Sequence, residues 1–270
     1  VVDTNIDNHS LVTEKSVSKF KKYQDIVDHV DAVSIVTPTS SHYKIAKYFL
    51  EKKVHVLLEK PMTETVAQAK KLNNIAKKNN CILQIGHLEQ FNPAIRKIRK
   101  SNCKPQFIEV HRLCQFNPRA NDVDVVLDLM IHDIDIVLSL IDKPIKNIEV
   151  SGKKILTKLT DIANVRIKFE DNIVANLTAS RISTKNERKM RIFSDSSYYS
   201  IDFINNELKQ VVKDKKNNFK IKDFSFKKTD VLYEEINNFI KTCLGKEKSM
   251  TTGYSGEEAL IVAKKITRNL

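Results

Sequence analysis

Three short apolar runs, DAVSIVT (31–37), VHVLL (54–58) and CILQI (81–85), alternate with two stretches of helical periodicity, SHYKIAKYFLEKK and ETVAQAKKLNNIAKKNN. Strands with so few polar interruptions must be covered on both faces, and a helix-length connection between them allows a parallel pairing. Strand, helix and strand in this order therefore predict a parallel sheet with helices against its faces. FNPAIRKIRK reads as one more helix, with Pro93 in its first turn, where a missing N–H costs nothing.

Near Lys104-Pro105 the pattern changes. QFIEVHRL reads as a strand and VVLDLMIHDIDIVLSLI as an apolar helix. Six further strand-bearing stretches follow, in IKNIEVSGKKI, ANVRIKF-EDN-IVANLTAS, KMRIFS, YYSIDF, ELKQVV and FKIKDFSF. Short polar turns such as Glu170-Asp171-Asn172 between such runs predict a mainly antiparallel sheet. DVLYEEINNFIKTCL and SGEEALIVAKKITRN close the chain as helices, the second opening on a Ser-x-x-Glu-like start. The expected fold class is α/β: a Rossmann-like parallel-sheet domain over 1–103, followed over 104–270 by an α+β domain with a large, mainly antiparallel sheet. A length of 270 residues suits two domains.

The formal charge of +13 raises the question of a polyanionic partner. The excess is dominated by lysine, 37 Lys against 9 Arg, and is spread over helices. Nucleic-acid readers concentrate Arg and aromatics on one surface, so no nucleic-acid partner is expected. The densest cluster, 209–228, alternates like an exposed hairpin whose lysines discourage edge-to-edge pairing. No apolar run reaches the ~18 residues of a spanning helix, so no membrane partner is expected. The four scattered cysteines form no Cys-x-x-Cys pair, which argues for a reducing, cytoplasmic compartment and against a zinc site.

Ligands of open parallel sheets sit beyond the carboxyl ends of the strands. Three segments stand there: Val1-Val2-Asp3, Thr37-Pro38-Thr39 and Glu59-Lys60-Pro61. An acid ending the second strand of a dinucleotide-binding fold accepts hydrogen bonds from the adenosine ribose, which favours NAD over NADP. Asp3 can equally cap a turn. The Gly-x-Gly-x-x-Gly turn that should precede it is absent, and the chain has only five glycines. The first domain is thus expected to lack its first βα unit, as an N-terminally incomplete domain would.

Lys60 follows an apolar strand and a glutamate and precedes a proline that forbids helix and is a candidate for a cis bond. A lysine pinned there can move a proton or orient a hydroxyl during hydride transfer. It can also be a surface lysine paired with Glu59. In the apolar helix, Asp124, Asp128, His132 and Asp135 fall on one stripe at ~100° per residue. Such groups cost free energy in apolar surroundings unless paired or lining a cleft. His132 and Asp128 suit an acid/base pair, while a structural pair and a metal site are the alternatives. GHLEQFNP (86–93), after the third strand, puts His87 and Glu89 at a domain junction, where a binding wall and a hinge are both open readings.

Taken together, these motifs resemble the Gfo/Idh/MocA family of nicotinamide-dependent sugar oxidoreductases. DAVSIVTPTSSHYKIAKYFLEKKVHVLLEKPMTETVAQAKKL resembles the family's central signature with its Glu-Lys-Pro element. LDLMIHDIDI resembles its Asp-x-x-x-His helix, and TTGYSGEEAL its closing helix. The resemblance implies catalytic roles for Lys60, Asp128 and His132. It implies a cofactor groove, for NAD rather than NADP, lined by Asp3, Thr37, Pro38, Thr39, His42, Glu59 and Lys60. GHLEQFNP is similar to members that oxidise the 3-position of UDP-N-acetylglucosamine and to MviM-like members. That similarity implies a sugar or nucleotide-sugar substrate near His87, Glu89, Asn92 and Arg119, with no metal. The family also implies a homo-oligomer formed through the C-terminal sheet. A degenerate relic, or a sugar-nucleotide-binding scaffold of the same fold, is the alternative.

Overall fold

The computed structural model describes residues 1–117, 123–213, 218–227 and 230–270. It forms two compact units, Val1–Gly86 with Phe239–Gly253, and His87–Asn238 with Tyr254–Leu270. This division by contacts differs from the boundary at 103/104 drawn from the change in sequence pattern.

In the first unit, β1 (Ala32–Ile35), β2 (His55–Leu58) and β3 (Leu83–Ile85) form a parallel sheet in that order. Each strand lies inside one of the apolar runs. α1 (Thr39–Glu51) and α2 (Val66–Lys78) make the crossovers. α1 buries His42, Ala46, Phe49 and Leu50, a single face at helical spacing. α2 starts on a capping box, with Gln68 N donating to Thr65 Oγ1 at 3.3 Å and Thr65 N to Gln68 Oε1 at 3.1 Å. Residues 249–253 run beside β3, where Ile85 N donates to Thr251 O and Gln84 bridges Thr252. Val1-Val2-Asp3 is not part of the parallel sheet; Val2 makes an isolated parallel bridge with Phe20.

The second unit holds α3 (Pro93–Lys100) and eight strands: β4 (Pro105–Leu113), β5 (Ile145–Lys153), β6 (Ile162–Phe169), β7 (Val174–Ser180), β8 (Glu187–Ser194), β9 (Ser197–Asp202), β10 (Glu207–Lys213) and β11 (Phe219–Ser225). Their order is β11-β10-β9-β8-β4-β7-β6-β5. Among the described residues β4 and β7 pair in parallel and the other neighbours pair antiparallel. The expected turn at Glu170-Asp171-Asn172 joins β6 to β7, with Asp171 (φ 56°) and Asn172 (φ 59°) in the left-handed region that short polar side chains tolerate. β11 is an edge strand with Lys220 and Lys222 exposed, as the alternation implied.

α4 (Ile131–Leu140) lies on β4 and is preceded by a π turn, Val126–Met130, that lies on β7. The turn carries Asp128. Asp124 caps it, its Oδ1 accepting from Val126 N at 2.9 Å and Leu127 N at 3.0 Å. Asp161, fully buried, braces the same segment. Its Oδ2 accepts from the N–H groups of Ile155, Leu156 and Thr157, and its Oδ1 from Thr157 Oγ1 and Arg181 Nε. Arg181 Nη1 in turn donates to Val123 O at 2.8 Å. α5 (Val231–Cys243) and α6 (Gly253–Arg268) end the chain; α6 begins two residues before the expected Ser255. Among the described residues no helix is long and apolar enough to cross a membrane.

Candidate active site

The first unit gathers several expected residues at the carboxyl ends of its strands. Glu59 N donates to Ile35 O and Gly86 N to Leu58 O, so the ends of β1, β2 and β3 are tied side by side. The Glu59 side chain turns back over Gly86. A Cβ on residue 86 would lie 2.9 Å from Cδ, Oε1 and Oε2 of Glu59, so any side chain there has to displace the Glu59 carboxylate. Lys60, half-buried, donates its N–H to Glu59 Oε2 at 3.2 Å, and the Lys60-Pro61 bond is cis.

His42, 1% exposed, joins two of the strand-end segments. Its Nε2 lies 2.7 Å from Thr37 O and its Nδ1 2.9 Å from Pro61 O. Both neighbours are acceptors and a neutral imidazole has one N–H, so the tautomer decides which carbonyl receives it. Thr37 and Pro38 are exposed, and Thr39 opens α1, whose first turn has no side-chain cap. Asp3 behaves as a turn residue: its Oδ1 accepts from Asn5 N and its Oδ2 from Asn8 Nδ2, which hold its carboxyl below the usual range.

In the second unit, the turn after Gly86 and the start of α4 face one another. The rings of His87 and His132 stand perpendicular, with centroids 6.4 Å apart. His87 is 1% exposed, and its Nδ1 has no hydrogen-bond partner among the described residues. Such an atom costs about 1–3 kcal/mol unless a ligand or water supplies a partner. His132 and Asp128 are half-buried. Glu89 accepts from Arg112. Gln90 Nε2 donates to Asp135 O at 3.2 Å and also to the Asp135 carboxylate. Burial pushes the Asp135 carboxyl up, against the opposing pull of His87 and Gln90. Asn92 caps α3, its Oδ1 accepting from Ala94 N at 2.9 Å. Arg119 lies outside the described residues.

Two of the four residues on the expected stripe take the paired alternative. Asp124 is spent on the cap and Asp135 is buried beneath Gln90, so neither is an open wall beside Asp128 and His132. The π turn departs from the ~100° step on which the stripe was counted. Arg112, Asp133 and Gln90 escaped the sequence reading altogether. One signal for Arg112 was available: it shares the inward register of Ile108 and Val110 on β4.

Residues 1–87 match the model of an oxidoreductase family described as "NAD-binding Rossmann fold", and residues 105–199 match the GFO/IDH/MocA C-terminal domain. A UDP-N-acetylglucosamine 3-dehydrogenase of Acidithiobacillus ferrooxidans is 38% identical over 210 residues, covering 77% of this chain and 67% of that protein. The chain belongs to the Gfo/Idh/MocA family. A solved structure of UDP-N-acetylglucosamine 3-dehydrogenase from the same organism superimposes with a TM-score of 0.95 at 32% identity, covering all of this chain and 88% of that one. A scyllo-inositol 2-dehydrogenase (NAD(+)) of Bacillus subtilis is 28% identical over 169 residues, covering 57% of this chain and 49% of that protein. As a Gfo/Idh/MocA oxidoreductase, the chain has a first domain suited to a nicotinamide cofactor. The strand-end residues fit such a group in part. The uncapped start of α1 favours an anion and Glu59 offers acceptors to hydroxyls, whereas no Gly-x-Gly-x-x-Gly turn occurs among the 270 residues.

Proposed function

We propose that the chain is an NAD-dependent dehydrogenase acting on a secondary alcohol of a nucleotide sugar, the 3-hydroxyl of UDP-N-acetylglucosamine in particular. The observation that carries this reading is the 38% identity to an enzyme of that name, spread over 77% of the chain. The buried His87 Nδ1, without a hydrogen-bond partner among the described residues, adds support, since a sugar hydroxyl is a fitting partner for such a nitrogen and the His132 ring stands close by.

Each residue then has a task. His132 takes the hydroxyl proton, and Asp128, in the π turn before it, orients and tunes the imidazole. Lys60 holds and polarises the substrate oxygen. Thr37, Pro38, Thr39, His42 and Glu59 shape the cofactor groove, and Asp3 is assigned to it by the family resemblance alone. When bound, the nicotinamide accepts or returns the hydride. His87 and Glu89 meet the sugar, with Asn92 and Arg119 completing the set.

The proposed assembly is a homo-oligomer through the outer face of the eight-stranded sheet. Phe107, Phe193 and Tyr198 cluster on the side of β4, β8 and β9 opposite the buried residues, with ring centroids 5.7 and 4.9 Å apart. The four free cysteines suit the reducing cytoplasm.

Incubating the purified chain with NAD and UDP-N-acetylglucosamine should raise the absorbance of reduced nicotinamide. Inactivity with this pair and activity with an inositol would overturn the substrate. A second expectation concerns Gly86→Ala, which must displace the Glu59 carboxylate. It should weaken NADH binding severalfold, about 1 kcal/mol, in a fluorescence titration. Unchanged affinity would remove Glu59 from the cofactor groove.

A further inference from the structure

Asp133, one residue beyond His132, forms a buried ion pair with Arg112, and neither the family resemblance nor the proposed roles assign these two residues a part. Arg112 on β4 is 3% exposed and Asp133 is 1% exposed. Arg112 Nε donates to Asp133 Oδ1 and Oδ2 at 3.0 and 2.9 Å, and Nη2 to Oδ1 at 2.7 Å. The outer edge of the guanidinium serves Glu89, whose Oε1 receives Nη1 and Nη2, each at 3.2 Å. One cation therefore holds two carboxylates from different segments, the first turn of α4 and the turn at 88–91.

Isolation of a charge at this depth is costly, and an ion pair by itself is weak evidence of stability. What a guanidinium supplies is geometry: its rigid planar fork fixes the orientation of its partners. Asp133 sits ~100° around the helix from His132. Locking Asp133 onto β4 therefore fixes the rotation of α4 about its axis and, with it, the direction in which His132 points. Glu89, held by the same plane, fixes the turn that carries His87. Gln90, which donates to Asp135, makes a second tie between the same two segments.

We infer that Arg112 is a positioning residue, setting the angle between the His87 and His132 rings by clamping the turn at 88–91 to the first turn of α4. The consequence for turnover rests on the proposed role of His132, whereas the consequence for the rings does not. Lysine cannot reproduce the clamp, because a single ammonium on a flexible stem cannot hold two carboxylates in one plane.

The test uses R112K and, should that variant fold poorly, R112M/D133L, which replaces the buried Arg112–Asp133 pair by apolar groups and leaves the partly exposed Glu89 carboxylate to solvent. The first readout is the imidazole carbon–proton spectrum of the chain without cofactor or substrate. In either variant the His87 and His132 signals should move, while those of His42 and His55, in the other unit, stay in place. The second readout is kinetic, with NAD and UDP-N-acetylglucosamine: kcat should fall by about 10²-fold, the scale of a small misplacement of a reacting group, with KM for NAD unchanged. Unmoved His87 and His132 signals overturn the inference whether or not the wild type turns over. Moved signals with unchanged kcat in an active wild type also overturn it. An inactive wild type with moved signals counts against the proposed substrate and supports the clamp.

Discussion

His132→Ala is expected to lower kcat by about 10²–10⁴-fold, the usual contribution of a positioned general base, while the dissociation constant for NAD stays close to that of the wild type. The separation follows from where the side chain sits. His132 lies in the first turn of α4 in the second unit, with its ring perpendicular to that of His87. The residues assigned to the cofactor belong to the first unit. Removing an imidazole that acts on the substrate hydroxyl withdraws transition-state stabilisation, and this lowers kcat and kcat/KM together. Stopped-flow turnover alongside NADH fluorescence titration measures both quantities. Equal losses in the two would remove His132 from the role of base.

Asp161→Asn should destabilise the second unit by about 3–5 kcal/mol, the usual cost of removing one partner from a buried ion pair. Arg181, 3% exposed, would keep its charge and lose its carboxylate. The pH dependence has a definite sign. Burial alone would push the Asp161 carboxyl up, but hydrogen bonds from the Thr157 hydroxyl and from the N–H groups of Thr157, Ile155 and Leu156 overcome it and hold the group well below the usual carboxylate range. A carboxyl lowered in the folded state stabilises fully above its unfolded pKa, about 4. That contribution is lost as the pH falls from there toward the folded value. Urea unfolding at several pH values should therefore show the largest gap between wild type and Asp161→Asn above about pH 5, narrowing under acid. A gap that widens in acid would contradict this account.

The two sheets, one parallel and one mainly antiparallel, could be read from period alone. Near-continuous apolar runs with helical spacers pointed to the parallel sheet, and alternating runs with polar turns pointed to the larger one. Both signals are local, and local patterning decides which face is buried. Glu170-Asp171-Asn172 was readable because short polar side chains tolerate a positive φ. The candidate site was legible only where a motif carried it. Glu59, Lys60, Asp128 and His132 stand in recognisable strings, but their partners do not. Nothing near Arg112 in sequence announces that its guanidinium will meet Asp133, 21 positions later, and Glu89, 23 positions earlier. Such pairings depend on strand order, which periodicity leaves open. The π turn was hidden for a related reason. It widens a single helical turn, and an average over several turns erases a local change in pitch.

The His42 ring has a consequence for how tightly a ligand can be held. By reaching Thr37 O on one side and Pro61 O on the other, it makes the segments after β1 and β2 a single mechanical body. Loops that must be ordered on binding subtract that lost freedom from the affinity. Here the ordering is completed during folding, by an aromatic ring sealed beneath the surface. Amides on both segments should accordingly exchange with solvent deuterium at similar, slow rates before any cofactor is added, and respond only weakly when it is.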